Sequence, residues 1–146
     1  MEYTVKWGQN DGVFDDSAML RTKIFIEEQH FIEEFDELDK TAHHMVMYDT
    51  ENTPVATGRI FPEAGGVVWH LGRICVEKEL RKAGLGRLLV QELEKKAREL
   101  GGVRTVLGAQ VRAKGFYEKL GYREAGAVYF EEYCEHIHMQ KELAGV

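Results

Sequence analysis

The period at which apolar side chains recur changes along this chain, and each change marks an element. From Asp16 or Ser17, either of which can cap, through Leu20, Ile24 and Phe25 the spacing predicts a helix ending near Gln29. An irregular acidic stretch follows. His43–Tyr48 and Val55–Phe61 are apolar runs of strand length, and the polar residues 49–54 between them read as a hairpin connection. Glu63-Ala64-Gly65-Gly66 then turns the chain into a strand over 67–76. Leu85, Leu89, Leu93, Ala97 and Leu100 return to helical spacing until Gly101-Gly102 stops them. A strand over 103–109, a short helix over 113–120 closed by a left-handed Gly121, and two strands over 122–130 and 133–141 complete the pattern.

That order contains one crossover helix of convincing length, which disfavours a doubly wound nucleotide fold. The expected class is mixed α/β (α+β): a central, mostly antiparallel mixed sheet flanked by helices. At 146 residues, with no repeat and no linker-like stretch, the chain is expected to form one domain, residues 1–146.

Charge narrows the partners. The net charge is −6 and the basic residues form no stripe, so nucleic acid is not expected as a direct partner. The acidic run Glu27-Glu28, Glu33-Glu34, Asp36-Glu37 and Asp39 reads as a solvated helix end and loop. Cys75 and Cys134 form no CxxC pair, which argues for free thiols in a reducing compartment. There is neither an apolar signal region at the start nor an apolar run that could span a bilayer. A cytoplasmic protein without a membrane partner is the expectation.

Chemistry enters at Arg81-Lys82-Ala83-Gly84-Leu85-Gly86, between the 67–76 strand and the long helix. The first turn of a helix leaves N–H groups unsatisfied and carries the positive end of the macrodipole, so an anion is stabilised there, and the two glycines let it approach the main chain. The spacing is not that of a P-loop, which needs four residues between its glycines and then Lys with Ser or Thr. Nor is it a dinucleotide fingerprint, because Leu89 stands where the third glycine belongs. A tight strand-to-helix connection is the alternative reading of these six residues.

With Gln110, Ala113 and Phe116-Tyr117-Glu118-Lys119-Leu120-Gly121-Tyr122 downstream, the chain resembles the GCN5-related N-acetyltransferases (the GNAT family). Arg81–Gly86 is similar to that family's Arg/Gln-x-x-Gly-x-Gly/Ala signature. The second block is similar to its Asn-x-x-Ala-x-x-x-Tyr-x-x-x-Gly-Phe pattern, with Gln110 in place of Asn and Tyr122 in place of Phe. The Phe25–Asp39 region and His136-Ile137-His138-Met139 resemble a subgroup of small bacterial acetyltransferases. The resemblance implies acetyl-CoA as donor and a small-molecule amine, or a peptide amine, as acceptor. Dimers are common in the family, so a homodimer is compatible with it. It also implies that Arg81, Lys82, Ala83, Gly84, Leu85 and Gly86 hold the pyrophosphate, that Gln110 contacts the pantetheine arm, and that this arm pairs with Ile74-Cys75-Val76. A β-bulge there would aim a main-chain N–H at the thioester carbonyl.

Tyr117 takes the place of the family's general acid, since a phenol can protonate a departing thiolate. His136 is the first choice of base, with His138 on the same strand face by period-two geometry. Arg21, Arg73 and Arg112 are weaker candidates for an anionic group of the acceptor, Glu28 and Asp36 for a cationic one, and His138 is a further weak candidate for substrate binding. Cys75 reads as inert packing rather than as a nucleophile. No metal is expected, because the histidines lack a third ligand at any telling spacing. A non-catalytic acyl-CoA-binding module is the competing function.

Overall fold

The computed structural model describes residues 2–81 and 83–143; Lys82, one of the expected phosphate-turn residues, lies outside the described residues. Seven strands form a sheet in the order β1-β2-β3-β4-β5-β7-β6: β1 is Thr4–Gly8, β2 His43–Tyr48, β3 Pro54–Glu63, β4 Val68–Val76, β5 Arg104–Gln110, β6 Arg123–Glu131 and β7 Cys134–Glu142. The β1–β2, β2–β3, β5–β7 and β6–β7 ladders are antiparallel and the β4–β5 ladder is parallel, in agreement with the expected mixed, mostly antiparallel sheet. The helices are α1 (Gly12–Arg21), α2 (Leu85–Glu99) and α3 (Lys114–Lys119). The chain divides into two compact units, described separately below.

The first unit comprises the described residues up to Phe61 together with Arg73–Leu93. β1 pairs with β2 (Thr4↔Tyr48) and β2 with β3 (His43↔Ile60), so residues 49–53 close a hairpin. In β2 and β3 apolar side chains are buried on both faces, which is why these runs do not alternate. α1 starts earlier than its apolar spacing suggests. Asp11 caps it by accepting from the N–H groups of Val13 and Phe14, and the apolar stripe begins only a turn later. It then passes into a seven-residue π-helix, Thr22–Glu28, which α-helical periodicity cannot anticipate. Leu20, Ile24, Met45, Ile60, Leu85, Leu89 and Leu93 form the centre of the core. Gly58 is required there, since a Cβ would sit 2.8 Å from the Leu93 Cδ1 atom.

The second unit comprises Pro62–Gly72 and the described residues from Glu94 onward. Val68–His70 of β4 runs parallel to Arg104–Val106 of β5, and β7 pairs along the whole of β5, from Arg104↔Glu142 to Gln110↔His136. β6 is the edge strand, with a register shift between Glu124 and Val128. Gly121 follows α3 at φ 98°, the left-handed cap expected from the sequence. Tyr122 is more than packing. Thr105 donates to its hydroxyl (2.8 Å), and that hydroxyl donates to Glu94 (2.8 Å), whose other oxygen lies 3.1 Å from Lys141 Nζ. The extra oxygen relative to Phe therefore joins a buried polar chain across α2, β5 and β7.

Candidate functional site

In the first unit the acidic segment is exposed at Glu27, Glu28, Glu33, Asp36 and Glu37, as expected of a solvated helix end and loop, but not at Glu34 and Asp39. Glu34 and Asp39 are buried, and Arg21, with 0% exposure, donates to both: Nε to Glu34 (2.9 Å), Nη1 to Asp39 (2.8 Å), Nη2 to the Glu34 carbonyl (3.0 Å) and to Asp39 (3.1 Å). The Phe35 ring lies under its guanidinium, 4.6 Å away. Arg59 bridges Asp36 and Asp39 through Nη1 at 2.7 Å each. Arg73 reaches the Glu34 carbonyl and carboxylate, both at 3.0 Å, and Asp36 at 3.3 Å. Three guanidiniums and three carboxylates thus alternate, and their formal charges cancel. Phe31, buried within this segment, is the sequence signal for it; Phe35 and Leu38 stay exposed.

This arrangement corrects one expectation. Arg21 is fully buried and its donors are spent on Glu34 and Asp39, so it is not an acceptor contact. Burial works against the Asp39 carboxylate, but the Arg21 hydrogen bond, the Asp36 backbone N–H and the fields of Arg21 and Arg59 outweigh it and bring its pKa down to about 2. Next to it, burial holds His44 below the ordinary histidine value, and its Nε2 donates to the Asp39 carbonyl at 2.9 Å. A carbonyl can only accept, so Nε2 carries a proton.

The second half of β4 and the glycine turn belong to the same unit. Arg73 has φ 50° inside β4, a left-handed backbone in the middle of a strand. Ile74 and Val76 are half-buried and Cys75 is buried; burial pushes the Cys75 thiol far up, which leaves it protonated and unreactive. The turn ends in Gly84 at φ 82°, with open space where a Cβ would point, and the Gly84 carbonyl accepts the Leu88 N–H at 3.3 Å. Ala83 and Gly84 are exposed and Gly86 half-buried at the start of α2, whereas Leu85 points into the core. Arg81 is committed locally: its two terminal nitrogens hold Glu28 at 2.6 and 2.9 Å and its Nε donates to the Val76 carbonyl at 2.9 Å. Glu28, considered as an acceptor contact, is therefore paired with the turn itself.

In the second unit α3 buries Tyr117, whose ring meets Phe116 (5.0 Å) and Tyr122 (5.9 Å) edge-on. Among the described residues its hydroxyl makes no hydrogen bond, and burial alone lifts its pKa well above the ordinary phenol value. The group is a neutral O–H donor throughout the physiological range. Gln110, at the end of β5, stands opposite His136 of β7, and its side-chain oxygen accepts from Arg112 Nε at 2.8 Å.

His136 is buried and His138 exposed, and both rings lie against Tyr129 of β6, at 5.7 and 4.6 Å. His136 Nδ1 donates to the Cys134 carbonyl (3.0 Å), which makes Nε2 the basic nitrogen of the neutral ring; the Glu131 carboxylate is 3.6 Å from it. Tyr129 was not singled out from the sequence. Its signal is Gly108, where a Cβ would collide with the Tyr129 hydroxyl, so that glycine makes room for the platform. Among the described residues no three His, Cys, Asp or Glu side chains gather as a metal site, and no helix is long and apolar enough to cross a membrane.

A family model described as an acetyltransferase (GNAT) domain matches residues 13–143. YjcF of Bacillus subtilis, an uncharacterized N-acetyltransferase, is 36% identical over 137 residues, covering 92% of this chain and 96% of its own. A Lactobacillus plantarum protein assigned as an N-acetyltransferase superposes with a TM-score of 0.90 at 28% identity, over 99% of this chain and 100% of its own. An acyl-CoA N-acyltransferase from Pseudomonas aeruginosa shares the fold, with a TM-score of 0.83 at 24% identity over 96% and 98% of the two chains.

Proposed function

The chain belongs to the GNAT acetyltransferase family, whose donors are acyl-CoA thioesters, and we propose that it transfers acetyl from acetyl-CoA to a small-molecule primary amine by direct attack in a ternary complex. The observation that carries this reading is Tyr117. It occupies the family's acid position as a buried, neutral phenol whose hydroxyl spends no hydrogen bond on the protein. Burial disfavours a charged thiolate as it disfavours a phenolate, which makes the departing sulfur a stronger proton acceptor there than in water.

The remaining roles follow the same assignment. Main-chain N–H groups of Ala83–Gly86 receive the pyrophosphate, and the Ile74–Val76 backbone receives the pantetheine arm and polarises the thioester carbonyl. The neutral amine adds to that carbonyl carbon, the C–S bond breaks, and Tyr117 gives its proton to the departing sulfur. His136 takes the amine proton on Nε2, and solvent restores both groups. The free thiols Cys75 and Cys134 support a cytoplasmic setting, and the family model supports a single catalytic domain.

Two measurements test the reading. Acetyl-CoA is expected to raise the melting temperature, and a panel of polyamines, amino sugars, aminoglycosides, amino acids and peptides is expected to contain an amine that releases free CoA thiol. Stabilisation without release from any amine makes the chain a binding module instead. For the base, His136→Ala is expected to lose about 10²- to 10⁴-fold in turnover at pH 7 and to recover in part at high pH, where the amine deprotonates unaided. The same loss from His138→Ala, with His136→Ala unaffected, would move the role to His138.

A further inference from the structure

Five non-glycine residues among those described have positive φ, and Arg73 alone of them lies inside a strand; Asn10, His30, Asn52 and Glu132 sit outside helices and strands. A left-handed backbone at a residue with a long side chain persists only when its surroundings over-determine it. Those surroundings are the alternating charges of the acidic segment. Arg73 Nε is 3.0 Å from both the carbonyl and the carboxylate of Glu34, and Nη2 is 3.3 Å from Asp36. Glu34 is fixed in turn by Arg21, Asp36 by Arg59, and Arg21 and Arg59 meet on Asp39. Every link but Asp36 and Arg73 is buried.

Buried ion pairs of this kind are weak evidence for stability, because apolar residues of similar volume stabilise as well or better. Six ion pairs joined in one network, three of them buried and two made by the one strained strand residue, call for another account. We propose that Arg73 is a positioning residue: the segment Glu34–Asp39, through Arg21 and Arg59, clamps the kink in β4 and so fixes the direction of the Ile74–Val76 backbone that follows it. The inference rests on the acetyl-transfer reading for its purpose, though not for its geometry. Under it Arg73 does not bind an anionic group of the acceptor, since its donors are turned to the protein's own carboxylates.

Glycine separates the two roles, because it adopts φ 50° without cost yet carries no side chain. Amide exchange of the 72–76 peptide, read by mass spectrometry, does not depend on activity. Arg73→Ala is expected to raise it about tenfold or more, and Arg73→Gly substantially less. In turnover, Arg73→Ala is expected to lower kcat by roughly 10- to 100-fold with acceptor KM within about twofold, and Arg73→Gly to regain most of the loss. Asp36→Asn, which keeps the shape of the loop, is expected to change both readouts in the same direction by a smaller factor and covers the case in which Arg73→Ala does not fold. Wild-type exchange in Arg73→Ala or Asp36→Asn overturns the clamp, as does an equal rise of acceptor KM in the alanine and glycine variants. Absence of turnover in the wild type with the exchange pattern as expected would sink the acetyl-transfer reading and leave the clamp standing.

Discussion

Replacing Tyr117 with phenylalanine is expected to lower kcat by about 100-fold or more while leaving the rise in melting temperature with acetyl-CoA intact. The variant removes one oxygen from a ring that is otherwise held by packing against Phe116 and Tyr122. Because that oxygen makes no hydrogen bond among the described residues, its loss orphans no partner, and stability should change little. The split is diagnostic. A purely structural tyrosine would lose stability and activity together, whereas an acid that acts only when the C–S bond breaks loses kcat alone. Unchanged turnover in Tyr117→Phe takes the residue out of the mechanism and makes water the proton source.

The second large effect concerns folding. Arg21→Met is expected to cost about 3–5 kcal/mol in unfolding free energy, because it takes one of two guanidiniums from each of the buried carboxylates Glu34 and Asp39. Urea unfolding at pH 7 reads it directly, and a loss below about 1 kcal/mol would show that the charges are not coupled as the distances imply. The acid profile gives an independent check. Asp39 has a folded pKa of about 2 against an ordinary 3.8. Its contribution is therefore fully present above about pH 3.8 and is lost as the pH falls from there to 2, a change of roughly 2 kcal/mol. His44 acts earlier and with the same sign: its proton is bound more readily in the unfolded chain, so stability declines as the pH drops below 6.5. In Arg21→Met the Asp39 limb moves to higher pH, since the carboxylate has lost its strongest hydrogen-bond partner.

Local signals carried much of this architecture. The β2–β3 hairpin, the apolar stripe of α2 and the glycine stops after α2 and α3 are set by spacing and backbone permissiveness, which a single sequence displays. β1 is an edge strand of five residues, and the alternation of Val5 and Trp7 with Thr4 and Lys6 is too short a run to stand out in the sequence. The π-helix escaped because it adds a residue to each turn without changing composition. The burial of Glu34 and Asp39 within the acidic segment is hidden from the sequence for a deeper reason. Charge density alone does not distinguish a solvated loop from one whose partners, Arg21, Arg59 and Arg73, are brought from other elements by the fold. In the same way Tyr117 and His136 could be nominated from motif and residue type, but the burial of one and the tautomer of the other depend on neighbours that are distant in sequence.

The hydrogen bond from Arg81 Nε to the Val76 carbonyl bears on why the signature position accepts either arginine or glutamine. Counted outward from Cα, the Nε of arginine and the Nε2 of glutamine occupy the same place, after three carbons, and each carries an N–H. Either residue can thus staple the last carbonyl of β4 to the turn that follows. Glutamine lacks the charge and the two terminal nitrogens with which Arg81 holds both oxygens of Glu28, so that bidentate ion pair is specific to arginine.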